Sequence, residues 1–258
     1  MNAPPFTALV LAGRRGAEDP VARQCGVEHK CLAPAGGVPM LARVLTVLAA
    51  SPGIGRTFVV LENPALLDEL PDAPSCVALP GAATPSSSVL RALDQPATGL
   101  PILIATADHA LLSIEIVEFF CAAARASGAD VVAGLTAAEV IRKAYPSTAR
   151  TYWRFRDGQY SGANLFALMT PEARKAVAFW GRAERHRKRP WRLLRAFGLG
   201  SLLAYLLGRL TLDGAMARAS RIIGARVAAV RLPFAEAAID VDTAADLELV
   251  DAVLAERR

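Results

Sequence analysis

The chain has 258 residues, 53% of them hydrophobic, with a formal net charge of +5 and a sequence pI near 9.3. That length and apolar content can bury one large α/β core, and no linker divides it, which predicts a single domain over residues 1–258. The positive excess gathers between Arg182 and Arg195 and is not interleaved with the few aromatic residues, which argues against a chain that coats nucleic acid and for a local anion-facing or membrane-facing patch.

Cys25, Cys31, Cys76 and Cys121 form no CxxC pair and have no His at metal-site spacing, so they read as reduced thiols of a cytoplasmic protein and a zinc site is not expected. Met-Asn-Ala-Pro-Pro-Phe lacks the charged and apolar regions of a secretory signal, and no stretch reaches the roughly eighteen uncharged apolar residues of a spanning helix.

In chain order, Phe6 to Leu11 is a short apolar run that predicts a buried strand, and it runs at once into Ala12-Gly13-Arg14-Arg15-Gly16. Such a turn suits phosphate: glycines let the backbone approach an anion, N–H groups face it, and Arg14 or Arg15 supplies bidentate charge. Lys30 follows at a spacing that suits a second cation over the same phosphates. A solvated connection and a surface lysine fit this segment equally well, and it is neither a Walker loop nor a GxGxxG fingerprint.

Cys31 to Gly37 reads as a loop, and a helix is expected from Pro39, with Met40, Val44, Val47 and Leu48 on one face, stopped by Pro52-Gly53. Thr57 to Leu61 and Cys76 to Leu79 are further strands, and the rhythm predicts a mostly parallel sheet covered by helices on both faces. Pro80 to Ser88 leads into a helix over Val89 to Leu93. Its hydroxyls serve either as ordinary caps or, with the Gly81 loop and Ser88, as a receiver for a base or phosphate.

Pro101 to Asp108 is the most buried-looking strand, and it ends in an acid where open α/β sheets bind ligands. Asp108 is therefore the first candidate metal ligand. Magnesium takes one or two carboxylates and fills its remaining positions with water and phosphate oxygens. A turn or N-cap aspartate is the plainer alternative, and His109 reads as a packed neighbour.

A helix is expected from Ser113 to about Ser127, and a strand over Val131 to Leu135. Thr151 to Phe155, the Asp157-Gly158 turn and Tyr160 to Leu168 predict an antiparallel hairpin leaning over the crevice. Lys143, Arg154 and Arg156 give this region an anion-binding character, and Gly162 and Asn164 offer small and amide groups to a substrate. Thr170-Pro171-Glu172 opens a helical insertion, about 172–220, that carries Lys188 and the apolar run Ala196 to Leu207. A lid or dimer face is preferred there over an interfacial helix on anionic lipid. Arg226 to Leu232 is the last strand, and Thr243 with Asp246 forms a capping box for the final helix. Asp242 is either turn chemistry or a second carboxylate on the metal of Asp108.

Taken together, LAGRRG, HKCLAPAGGVPML, PSSSVLRAL, ILIATAD, YSGANLFAL and DVDTAADL resemble the MobA-like nucleotidyltransferases, the NTP-transferase superfamily that includes molybdenum-cofactor guanylyltransferases and sugar- or polyol-phosphate cytidylyltransferases. The resemblance covers most of the chain apart from about residues 172–220. It implies a Rossmann-like (GT-A-like) mostly parallel sheet with an added β-hairpin and helical insertion. It further implies that Gly13, Arg15 and Lys30 hold a triphosphate, that Gly81 and Ser88 lie near the base, and that Asp108 and Asp242 bind Mg2+. The chain departs from the family in its compressed Gly-Arg-Arg-Gly turn, which leaves Arg14 and Arg15 both eligible, and in His29, where Pro often precedes the lysine.

The expected activity is Mg2+-dependent transfer of an NMP group from an NTP to a small phosphorylated acceptor, with release of pyrophosphate. A GT-A-like glycosyltransferase would carry a DxD motif, and Thr106-Ala107-Asp108 lacks its first acid. A non-catalytic nucleotide-binding protein would bind the NTP without releasing pyrophosphate.

Overall fold

A computed structural model describes residues 3–13, 19–70, 73–186 and 199–257. Phe6–Leu11 (β1) lies near the middle of an eight-stranded sheet, hydrogen-bonded in parallel to Ile54–Leu61 (β4) on one side and Ile102–Thr106 (β6) on the other. Val77–Pro80 (β5) extends the sheet beyond β4. On the far side of β6 come Gly158–Leu168 (β9), Val131–Ala137 (β7) and Val227–Leu232 (β10), giving the order β10-β7-β9-β6-β1-β4-β5. Trp153–Phe155 (β8) pairs with β9.

The apolar runs are continuous because both faces are covered. Phe6, Ala8 and Val10 point into a core shared with Leu41, Leu45 and Leu48 of Met40–Ala50 (α2) and with Ile116, Val117 and Phe120 of Ile114–Ala126 (α4). Leu9, between them in sequence, faces the other layer with Val89 and Ala92 of Pro85–Leu93 (α3) and Val177 of Ala173–His186 (α6). Ser113 caps α4 as the sequence predicts. The helix after Ser86-Ser87-Ser88 begins earlier than expected, at Pro85, because Thr84 and Ser87 close a capping box there.

The hairpin is the main difference from expectation. Its two arms pair antiparallel, Trp153 opposite Tyr160 and Phe155 opposite Gly158, so the turn falls at Arg156-Asp157, one residue earlier than the expected Asp157-Gly158, and the return arm β9 is an interior strand of the sheet. It runs antiparallel to both β6 and β7, and Ala163, Leu165 and Ala167 are buried in the main core. β6 and β7 do not pair with each other, and β9 satisfies the inner edge of each. Between Gly162 and Phe166 it bulges against Leu135–Ala133, and Asn164 in the bulge adopts φ +51°.

The stretch Cys31–Gly37, read as a loop, holds a 3-10 turn at Lys30–Leu32 and a tight ribbon of Pro34–Ala35 (β2) and Val38–Pro39 (β3). Gly36 and Gly37 turn it with φ +56° and +79°, and a Cβ on Gly36 would sit 2.7 Å from Arg43 Nη2. Short helices that apolar periodicity did not reveal are Pro20–Cys25 (α1), capped by Asp19, and Ala138–Ala144 (α5). The stretch expected as an insertion, about residues 172–220, holds α6, Leu199–Leu206 (α7) and the start of Leu212–Ile223 (α8); Lys188 and most of the basic run lie outside the described residues. Among the described residues no helix is long and apolar enough to cross a membrane. Ala244–Glu256 (α9) closes the chain with the predicted Thr243/Asp246 capping box.

Candidate active site

The site lies at the carboxyl ends of the parallel strands. β1 ends at Leu11, level with Thr106 of β6 and Val60 of β4. Beyond it the backbone stays knitted: Ala12 N donates to Val60 O at 3.0 Å and Ala107 N to Leu11 O at 3.0 Å. Gly13 follows, exposed and with open space where a Cβ would stand. Arg14, Arg15 and Gly16 lie outside the described residues.

Asp108 sits just past β6, and its carbonyl accepts a hydrogen bond from Val241 N at 3.1 Å, which draws the segment before α9 to the same place. Val241 is wholly buried, so in this extended segment Asp240 and Asp242 face the opposite way, side by side. Carboxylate oxygens of Asp108, Asp240 and Asp242 all lie within 4.8 Å of one another. Lys30 enters from the 3-10 turn, and its Nζ stands 2.7 Å from Asp108 Oδ2 and 2.6 Å from Asp242 Oδ1. Burial pulls the Lys30 ammonium down, but Asp108 and then Asp242 more than reverse this and hold it above the ordinary lysine value. Lys30, Asp108 and Asp242, far apart in sequence, thus come together at one place.

Asp240 was not anticipated. Asn164 Nδ2 donates to its Oδ2 at 2.7 Å, and Arg150 pairs with its other oxygen while donating to its carbonyl at 2.8 Å and to Asp246 Oδ1 at 3.1 Å. The i, i+2 spacing of Asp240 and Asp242 could have exposed the second acid. No periodicity distinguished Arg150 from the other basic residues nearby.

Other titratable groups beside these carboxylates are sealed. His109 is buried, and desolvation pushes it down to a neutral ring whose Nε2 lies 3.2 Å from Glu236 O. Burial raises the Cys31 thiol to about 11. Neither is set up as a base or nucleophile at neutral pH.

At the neighbouring strand ends, Gly81 N donates to Leu61 O at 2.7 Å, and a Cβ on Gly81 would lie 3.3 Å from that oxygen. Ser88 Oγ accepts from Ala82 N at 2.9 Å, holding the loop to the first turn of α3, while Ser86 donates to Glu184 of α6. Gly81 and Ser88 therefore shape one loop on the carboxyl edge of the sheet, next to β4.

The remaining predicted contacts are more scattered. Arg154 and Arg156 are exposed on the hairpin and meet the insertion through their backbones, Arg154 N to Tyr205 Oη at 3.3 Å and Arg156 N to Leu210 O at 2.8 Å. Lys143 is exposed near the end of α5, and Gly162 is exposed on β9 beside Leu135. Asn164 is turned toward Asp240.

Residues 8–197 match the family model described as the MobA-like NTP transferase domain. The chain belongs to this family. Its enzyme class is that of the nucleotidyltransferases, and the matched range takes in most of β1 and all of β6, with Lys30, Asp108, Arg150 and Asn164, while Asp240 and Asp242 arrive from beyond its end. The chain is 28% identical over 239 residues to 2-C-methyl-D-erythritol 4-phosphate cytidylyltransferase from Streptomyces coelicolor, covering 89% of this chain and 79% of that protein. A hypothetical transferase from Thermus thermophilus superposes with a TM-score of 0.81 at 36% identity, over 94% of this chain and 99% of that one. At 12% identity, 4-diphosphocytidyl-2C-methyl-D-erythritol synthase from Anaerococcus prevotii shares the fold, with a TM-score of 0.60 over 98% of this chain and 97% of that one.

Proposed function

We propose that this MobA-like nucleotidyltransferase moves an NMP group from an NTP to a small phosphorylated acceptor and releases pyrophosphate, with Mg2+ held by Asp108 and Asp242. The observation that carries this reading is Lys30 lying between Asp108 and Asp242 at the carboxyl ends of the central strands. The donor set fits magnesium, since it offers carboxylate oxygens and neither imidazole nor thiolate. Three aspartates set against Lys30 and Arg150 also leave the cluster net negative, and so receptive to a cation. When bound, Mg2+ neutralises charge on the polyphosphate and on the departing pyrophosphate.

In this reading Lys30 turns from the aspartates to the triphosphate, and Arg15 or Arg14 joins it from the turn after β1. Ala12, Gly13 and Gly16 let the backbone come close to the phosphates. Gly81 and Ser88 shape the floor under the base. Lys143, Arg154, Arg156, Gly162 and Lys188 are the candidate acceptor contacts, while the Asn164 amide, expected there too, is held by Asp240. An acceptor phosphate is already ionised at neutral pH and can attack the α-phosphorus in line without a base, which suits a site whose histidine is buried and neutral. Positioning and electrostatics carry the rate.

The cytidylyltransferase named among the relatives makes CTP the first nucleotide to try and a sugar or polyol phosphate the first acceptor class. Purified protein with Mg2+, each of the four NTPs and a panel of phosphorylated acceptors should release pyrophosphate with one preferred pair. Transfer of sugar from a nucleotide sugar, with no pyrophosphate from any pair, would overturn the reading.

A further inference from the structure

The segment Asp240-Val241-Asp242 carries two of the three clustered carboxylates and has no helix or strand of its own to hold it. It is fixed from three directions. Val241 N–H bonds to the Asp108 carbonyl at 3.1 Å, and its buried side chain anchors the segment to the core. Arg150, whose side chain is only 9% exposed, forks onto the Asp240 carboxylate and carbonyl and reaches Asp246 in the α9 capping box. Asn164 Nδ2 takes the other Asp240 oxygen at 2.7 Å, from a bulge where its own φ is +51°. Both Asp240 oxygens are thereby engaged, while Asp242 two residues on faces Lys30 and solvent, its side chain 49% exposed. A planar guanidinium can bridge three oxygens in this way, which a lysine cannot.

We infer that Arg150 and Asn164 are positioning residues that clamp Asp240 so that Asp242 is presented, next to Asp108, as a ligand for the divalent cation. The inference rests on the nucleotidyl-transfer reading above. Asp240 then serves as the handle by which the segment is gripped, and the loop Arg150 comes from is coupled to metal affinity without touching the metal. Groups that orient a ligand in this way affect metal affinity by about 10- to 100-fold.

The test uses the full chain and Mn2+ alone as the probe, with binding followed by water-proton relaxation. Arg150→Met should weaken Mn2+ binding at least about tenfold, because losing the clamp outweighs the extra negative charge left at Asp240, with Arg150→Lys, which keeps the charge without the fork, recovering part of it. Asn164→Gly keeps the left-handed backbone and removes only the amide, and should weaken binding by about three- to tenfold. It decides the matter if Arg150→Met fails to fold. In turnover, both variants should raise the Mg2+ concentration for half-maximal rate more than they lower kcat. Asp130→Asn, which disturbs a comparable network at the opposite, amino-terminal edge of β7, should lower Tm and leave Mn2+ affinity unchanged. Wild-type Mn2+ affinity in Asn164→Gly and in any folded Arg150→Met would overturn the positioning role alone. Failure of the wild-type protein to bind Mn2+ would overturn it together with the metal reading beneath it.

Discussion

Replacing Lys30 with Met keeps the length of the stem and deletes the ammonium that stands 2.6–2.7 Å from two carboxylates. At an effective dielectric constant of about 20, each such contact has a gross attraction of about 6 kcal/mol. Much of this is cancelled by the cost of burying the charges, and breaking a fully buried pair costs about 3–5 kcal/mol. Here Lys30 and Asp108 are 18% and 14% exposed, but Asp242 is 49% exposed and keeps much of its hydration. The expected loss is therefore about 2–3 kcal/mol, or roughly 5–10 °C in Tm for a chain of this size. Aspartates left within 4.8 Å of one another without their cation should bind Mn2+ more tightly in the absence of nucleotide than they do in the wild type. Turnover should move the other way, with kcat/KM falling about 10²- to 10³-fold as a charge on the triphosphate is lost. The pH dependence gives an independent sign. Lys30 is raised above 10.5, so its contribution is whole below that pH and is lost as pH rises through its higher folded value, an alkaline loss that Lys30→Met should lack. Denaturant melts, Mn2+ titration and pyrophosphate release check these points. Wild-type stability together with wild-type turnover would refute the reasoning.

Asp108→Asn should abolish turnover, a fall of at least about 10³-fold, with little change in far-UV circular dichroism, because an amide keeps the shape and loses the charge. Asp242→Asn, at the more exposed carboxylate, should retain measurable kcat but need more Mg2+ to reach it, as an Mg2+ titration of the rate will show. Asp130 accepts bonds from Arg226 N at 2.7 Å, Arg226 Nη2 at 3.1 Å and Thr170 Oγ1 at 2.9 Å, and the Arg226 side chain above all holds its carboxyl down at about 2, against the opposing effect of burial. Its stabilisation is present above the ordinary value of 3.8 and is lost as pH falls toward 2, so Asp130→Asn should cost about 1–3 kcal/mol at pH 7 and flatten the acid limb of a stability profile.

Much of the fold was legible because burial on both faces leaves an unmistakable apolar run: Phe6–Leu11 and the strand before Asp108 appear where expected, and the capping box at Thr243 marks a helix start through local chemistry alone, whereas the one at Thr84 starts its helix four residues ahead of the expected Val89. The interior place of Gly158–Leu168 was not legible. A hairpin turn fixes the pairing of its own arms, here from Arg156-Asp157, but nothing in it says which other strands will close on them. The site divides in the same way. Asp108 announces itself by ending a strand, and Lys30 and Asp242 were reached through resemblance as much as spacing. Arg150 and Asn164 act through contacts across 90 and 76 residues of sequence, and local pattern carries no trace of such partners. Ser88 grips the Gly81 loop from inside α3 and not from the loop itself, and Arg154 and Arg156 are tied by their backbones to Tyr205 and Leu210.

Nucleotidyl transfer as proposed needs Asp108, Asp242 and Lys30 at the point where an NTP is attacked at its α-phosphorus. Phosphorus NMR of the protein with Mg2+, CTP and a mixture of sugar and polyol phosphates observes that event directly. The prediction is pyrophosphate appearing in step with a new diphosphate linkage for the wild type and neither for Asp108→Asn. Inorganic phosphate without the new linkage, or equal product from the variant, would contradict it.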